Sequence, residues 1–194
     1  MASQIYEEMN GKVPGWVDQA LTDLISAAVR KKGVRTLFFR ADDIAVPSAR
    51  FARMMELFIA YRTGLCLAVV PAWLTVQRWS VLSHYAEKGG ALFCWHLHGY
   101  RHKNHEPRGR KQEFGPSRPA VEIRSELAKG FDRLKLIMGD HAFPVFTPPW
   151  NRCSMDSLTE AARLGFKAVS RNRGAKPLVP SDLAEYPVHV DLHT

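Results

Sequence analysis

Short apolar runs alternate along the chain with segments whose apolar residues recur at every third or fourth position. The short runs predict six buried strands, at residues 34–39, 65–70, 91–96, 145–146, 167–170 and 188–192. The periodic segments predict five helices: one over the apolar positions of 17–28, one with Pro47 in its first turn and Gly64 at its end, and three at 73–87, 119–138 and 154–163. Residues 103–118, rich in charge, glycine and proline, predict a long loop.

Strands that alternate with helices predict parallel β/α units, arranged either as a barrel or as an open doubly wound sheet. In both architectures, functional side chains gather at the carboxyl ends of the strands. Asp42 and Asp43 follow the first predicted strand, His98 and His102 follow the third, and the segment 148–150 follows the fourth. We therefore expect these three groups to converge at one end of the sheet.

The converging side chains have the chemistry of a hydrolytic metal site. A catalytic zinc site needs about three protein ligands and an open position for water. His98 and His102 can reach one ion if the backbone turns helically between them, and one carboxylate completes the set. A second carboxylate can then remove a proton from water, and the adjacent pair Asp42-Asp43 supplies both because neighbouring side chains on a strand point in different directions.

Two further histidines compete for a place in this site. His105 lies three residues after His102 and is the main rival ligand, although solvation in the loop is its ordinary explanation. His96 shares a strand face with His98 because side chains alternate along a strand. It is expected to pack in the core or to support a ligand.

Three segments in this order resemble the polysaccharide deacetylases, which are carbohydrate esterase family four or NodB-homology proteins. The resemblance covers about residues 34–170 of a predicted single domain, 1–194. The segments are Asp42-Asp43 after an apolar strand, the His-x-x-x-His of His98 and His102, and Phe146-Thr147-Pro148-Pro149-Trp150. The family's corresponding motifs are an aspartate pair, His-[Ser/Thr]-x-x-His and Arg-x-Pro-aromatic.

The resemblance implies a deformed, incomplete (β/α) barrel of the NodB-homology type that hydrolyses N- or O-acetyl groups on a carbohydrate. It implies that Asp42 is the catalytic base and that Pro149 and Trp150 form the wall of the substrate groove. The residues that match the ligands of a divalent metal ion, with Zn²⁺ as the expected ion, are Asp43, His98 and His102.

The sequence also departs from the family pattern. Ile44 stands where the family has glycine, and Gly99 replaces the Ser/Thr after the first histidine. Thr147 occupies the place of the arginine that tethers the base, and either Arg40 or Arg152 could substitute for it. The family's general acid is the histidine of a Leu-x-His motif; Asp191-Leu192-His193 offers His193 for that role, with His189 as the alternative.

Composition adds three expectations. The 27 lysines and arginines exceed the 19 acids, and the net charge of +8 favours anionic partners. No recognised nucleic-acid motif accompanies that charge, so a nucleic-acid-binding protein ranks behind both the deacetylase and a non-catalytic sugar-binding relative of it. Three cysteines without CxxC spacing, no apolar leader and no membrane-length apolar segment predict a cytoplasmic protein without a membrane partner.

Overall fold

The computed structural model describes residues 38–191 and the separate positions 19, 22, 23, 26 and 30. The chain divides into two compact units, Phe38–Val190 and a smaller one made of Met1–Leu37 with Asp191–Thr194. In the smaller unit the five separate positions are helical. The apolar positions that predicted the first helix lie outside the described residues, as do residues 34–37 of the first predicted strand.

Six parallel strands form one sheet whose spatial order is the order of the chain. The strands are β1 (Phe39–Ile44), β2 (Leu65–Val69), β3 (Phe93–Leu97), β4 (Ala142–Phe146), β5 (Ala168–Val169) and β6 (Ala184–Glu185). In a doubly wound sheet the order of the strands reverses at a switch point, although the strands remain parallel. In a barrel each strand lies beside the next strand of the sequence, as it does here. Over the described residues the sheet curls without closing, which confirms the predicted incomplete (β/α) barrel.

In the range 38–191 four helices connect the strands, and each buries part of one face. They are α1 (Ala49–Ala60), α2 (Val76–Gly89), α3 (Ala120–Met138) and α4 (Met155–Arg163). Hydroxyl side chains cap three of their N-termini, because Ser48, Thr75 and Ser154 each accept a hydrogen bond from the backbone N–H three residues on. None of the described helices has the length and apolar composition needed to cross a bilayer.

Helix α3 supports the part of the sheet that carries the candidate site. Its buried residues recur at helical spacing and are Ile123, Leu127, Gly130, Leu134 and Met138. A Cβ atom on Gly130 would lie 3.1 Å from Cδ1 of Leu97 and 3.3 Å from the carbonyl oxygen of Gly99. The missing side chain therefore lets α3 approach the end of β3 and the turn that follows it.

Several predicted boundaries were wrong, because local capping decides where a helix starts. Pro47 precedes the cap Ser48 instead of lying in the first turn of α1, and α1 ends at Ala60, before Gly64. Residues 71–73 form a separate 3₁₀ turn ahead of α2. The strand predicted at 188–192 is also wrong for its described residues: β6 lies at Ala184–Glu185, and Val188 makes only an isolated bridge with Asn172.

Candidate metal centre

Strand β1 runs further along the chain than predicted and contains both aspartates. Its pairing with β2 is regular from Phe39 to Ala41, shifts register, and resumes at Ile44. Asp42 and Asp43 occupy this irregularity, and Asp43 has a left-handed φ of 61°. The bulge leaves the side chain of Asp43 53% exposed at the carboxyl end of the sheet.

The two histidines lie on a turn that directly follows β3. The backbone N–H of His98 donates to the carbonyl oxygen of Val69 (2.8 Å), which extends the sheet by one residue. The turn is not the helical one that the i, i+4 spacing required, because Gly99 and His102 both have positive φ, 64° and 56°. It nevertheless brings Nε2 of His98 and Nε2 of His102 to 3.4 Å and 3.3 Å from Oδ1 of Asp43.

This donor set fits a divalent transition metal. The ligand atoms of Asp43, His98 and His102 all lie within 4.8 Å of one another. Ligands about 2.0–2.1 Å from a tetrahedral ion are about 3.3 Å apart, which is close to both carboxylate–imidazole distances. Two imidazoles and one carboxylate are ligands that zinc and related ions accept, and the exposure of Asp43 leaves the site open toward solvent.

Thr147, the residue in the place of the family's arginine, orients two histidines at once. Its carbonyl oxygen is 2.9 Å from Nδ1 of His98, and since a carbonyl only accepts, Nδ1 carries the proton and Nε2 keeps a lone pair for an ion. Its hydroxyl is 2.8 Å from Nε2 of His96, whose Nδ1 lies 3.1 Å from the carbonyl oxygen of Cys94. Burial lowers the pKa of His96 to about 4, so this ring is a neutral support.

Arg40, two residues before Asp42 on β1, holds the carboxylate that is the predicted base. Nε and Nη2 of Arg40 donate to Oδ1 and Oδ2 of Asp42, at 2.8 Å and 2.9 Å. Nη1 donates to Oγ of Ser170 and Nη2 also donates to Oδ1 of Asn151. The guanidinium is almost fully buried and joins β1 to the residues that follow β4 and β5, so it is itself held in place and in turn orients Asp42.

Indole rings flank the second histidine. The ring of Trp150 lies 4.4 Å from that of His102, and the ring of Trp73 lies 5.7 Å from it. Trp150 and Asn151 both have left-handed φ, near 57°, a strained conformation that proteins keep chiefly where the geometry has a use. Pro149 is buried, so only Trp150 of the two predicted groove residues offers a partly exposed surface.

The remaining candidate residues have different outcomes. His105 is not in the donor cluster, and burial in the loop lowers its pKa. His189 is also outside the cluster, and His193 lies outside the described residues. Among the described side chains it is Arg40, not Arg152, that contacts Asp42. Sequence reasoning missed Ser170, Asn151 and Trp73: Ser170 and Trp73 were assigned to a predicted strand and a predicted helix without a role, and Asn151 lies in a short turn without periodic pattern.

No family model and no curated protein matches the sequence. Solved structures do match. They include IcaB from Ammonifex degensii, with 13% identity, 78% of this chain and 66% of that chain covered, and a TM-score of 0.61. The deacetylase domain of BpsB from Bordetella bronchiseptica has 15% identity, 90% and 84% coverage, and a TM-score of 0.57. A family 4 acetyl xylan esterase from Clostridium thermocellum, in complex with a cobalt ion, has 12% identity, 71% and 58% coverage, and a TM-score of 0.52.

These similarities confirm, at the level of the fold, the resemblance to polysaccharide deacetylases. The chain spans less than two thirds of several matching structures: 45%, 59% and 65% of three of them. Identities this low show a shared architecture and leave activity and substrate to be argued from the site itself.

Proposed function

We propose that this protein is a metal-dependent carbohydrate deacetylase that removes an acetyl group from an N-acetylated, or O-acetylated, sugar. The observation that carries the proposal is the convergence of Asp43, His98 and His102 at the carboxyl end of a deacetylase-type barrel. Asp43 and the two histidines would hold a divalent ion, with Zn²⁺ expected and Co²⁺ a suitable substitute. A bound ion would supply Lewis-acid polarisation of the acetyl carbonyl and would acidify water.

Asp42 has the position and the partner of a general base. Both of its carboxylate oxygens accept from Arg40, and each oxygen keeps a further lone pair. One of these would accept the proton of the attacking water, while the guanidinium keeps the carboxylate pointed at the acetyl group. Arg40 thereby takes the tethering role of the arginine that the family has at the position of Thr147.

The sugar would lie beside the rings of Trp150 and Trp73. Both flank His102, and an aromatic face beside the ion is suited to the apolar face of a pyranose ring. Such a contact would orient the acetyl group toward Asp42 and exclude water from the far side. His193 remains the predicted general acid, and the cytoplasmic setting and the absence of nucleic-acid and membrane partners also stay predictions.

The proposal is tested by metal content and acetate release together. The wild-type chain should bind one transition-metal ion and release acetate from N-acetylglucosamine oligomers or acetylated xylan. His98→Ala should lose the ion and the activity, whereas Asp42→Asn should keep the ion and lose the activity. His105→Ala is the matched control, since this loop histidine is outside the donor cluster and should change neither quantity.

The result also separates the proposal from its rival. Saccharide affinity without acetate release under any added metal would identify a non-catalytic sugar-binding relative. Full acetate release by Asp42→Asn would refute the assignment of the base. A wild-type chain that binds no ion would refute the metal site as a whole.

A further inference from the structure

The turn between the two histidine ligands encloses a buried carboxylate from the long loop. Glu113 is fully buried, and its two oxygens accept three consecutive backbone N–H groups. Oε1 accepts from Arg101 at 2.7 Å, and Oε2 accepts from Tyr100 and His102 at 3.2 Å each. Three successive N–H groups that converge on one anion form a backbone nest, a feature that in other proteins binds phosphate or carboxylate ligands. Here the chain fills the nest with its own side chain.

The loop is anchored so that Glu113 cannot easily leave this position. The next residue, Phe114, is buried in the core, 5.7 Å from the ring of Phe146. The carbonyl oxygen of Phe114 accepts from the N–H of Ser154 (2.8 Å) and from Oγ of Ser157 (2.6 Å). Because Phe114 is anchored in this way, the carboxylate of Glu113 lies beneath the turn even though residue 113 belongs to no helix or strand.

Gly99 makes room for the carboxylate. A Cβ atom at Gly99 would collide with Oε2 of Glu113 and would lie 2.7 Å from Cγ of Pro149. Glycine at position 99, where the family's second motif has Ser/Thr, is therefore required by the presence of Glu113. A hydroxyl side chain at position 99 and a carboxylate at position 113 would compete for the same space.

Glu113 also offsets a local conformational cost. His102 has a left-handed φ of 56°, a conformation that is unfavourable for a residue with a side chain. Burial raises the pKa of Glu113, and the three N–H donors oppose that rise. Among the described residues, no basic side chain forms an ion pair with Glu113; Arg118 instead donates to its backbone carbonyl (3.3 Å). The backbone nest is thus the main partner of the carboxylate.

We infer that Glu113 is a positioning residue that presets the turn so that His98 and His102 face one ion before that ion binds. The inference rests on the proposed metal site and adds to it a residue more than ten positions away in the chain. It explains how a turn that is not helical can present two ligands four residues apart. A ligand pair that is already arranged loses less conformational freedom on binding, so its affinity for metal is higher.

The test is a metal titration of the full chain, prepared free of metal, with a competing chelator and Zn²⁺ or Co²⁺. Glu113→Gln replaces one acceptor oxygen with an NH₂ group that opposes a backbone donor. We expect its metal Kd to rise by roughly 10- to 100-fold, the usual effect of losing a group that orients ligands. Glu106→Gln is the matched control: Glu106 binds the N–H and hydroxyl of Ser117 in the same loop and does not touch the turn. Its metal Kd should stay within about twofold of the wild-type value.

Thermal melts of the metal-free variants separate positioning from simple stability. Glu113→Gln with a lower Tm and an unchanged metal Kd would overturn the inference while leaving the proposed function intact. A wild-type chain that binds no ion would instead overturn the proposed function.

Amide hydrogen exchange of the metal-free wild type decides the contact if the variant fails to fold or no ion binds. The N–H groups of residues 100–102 should exchange slowly. Arg101 is the most telling of the three, because the residue is exposed and its N–H is protected by the bond to Glu113. Fast exchange at all three would refute the role of Glu113.

Discussion

The tether on the proposed base gives a prediction whose size follows from the structure. Arg40→Met removes four hydrogen bonds: two to Asp42, one to Ser170 and one to Asn151. Breaking a fully buried ion pair costs about 3–5 kcal/mol, and because Asp42 is one-third exposed we expect a smaller cost, about 2–3 kcal/mol. Arg40→Lys keeps the charge but loses the two-pronged contact, so its cost should be about 1–2 kcal/mol.

The same change should affect the proposed chemistry without affecting the metal. Asp42 is not in the donor cluster, so the metal Kd of Arg40→Met should stay within about twofold of the wild-type value. The rate should fall because a base displaced by about 1 Å loses roughly 100-fold in kcat. Arg40→Lys, which still attracts the carboxylate, should lose roughly 10-fold.

Urea unfolding measures the free energy of unfolding, acetate release measures kcat, and metal titration measures the metal Kd. Arg152→Met is the matched control, because Arg152 was the alternative tether and does not contact Asp42; its unfolding free energy should change by less than about 0.5 kcal/mol. Equal losses of kcat in the Arg40 and Arg152 variants would refute the reasoning. So would a fall in metal affinity as large as the fall in kcat, because the tether would then act on the ion.

Two further predictions use single substitutions in the same region. Gly99→Ala should destabilise the fold by at least about 2 kcal/mol more than Gly109→Ala. Both positions have positive φ, but only the Cβ atom at position 99 would collide with Glu113 and Pro149. Urea unfolding measures the difference, and equal costs for the two variants would exclude the collision. Burial lowers the pKa of His96 from about 6.5 to about 4. Between pH 6.5 and pH 4 the unfolded chain therefore binds a proton at this residue that the folded chain does not bind. The free energy of unfolding falls in this range by up to about 1.4 kcal/mol per pH unit. Metal-free His96→Gln should show a smaller loss between pH 7 and pH 5, and parallel curves would contradict a buried neutral ring.

The sequence was sufficient to predict which side chains the structure brings together, because strand ends are visible in it. Apolar runs end where Asp42, His98 and Pro148 begin, and parallel strands bring such ends together. The tether could also have been chosen over its rival from sequence. Arg40 and Asp42 are two residues apart on a strand and therefore share a face, whereas Arg152 lies beyond the next proline-rich turn.

The support of the histidine turn could not be predicted from local pattern. Glu113 lies in a loop without periodicity, and its contact depends on where Phe114 enters the core. The only signal was indirect: a glycine where the family has a hydroxyl residue indicates that something else occupies the space. Similarly, β6 is only two residues long and does not produce an apolar run in the sequence. The last strand was therefore predicted at residues 188–192, which are more apolar.

The position of Thr147 limits how an arginine could be introduced after β4. An arginine at this position would need space that a fully buried threonine does not leave, and it would remove the hydroxyl group from His96. In this structure the guanidinium that contacts Asp42 lies on β1, whereas position 147 directly follows β4. An engineer who wishes to move the guanidinium from β1 to position 147 must therefore alter both places together, since removing Arg40 alone leaves Asp42 without its cationic partner and adding the arginine alone crowds the core beside His96.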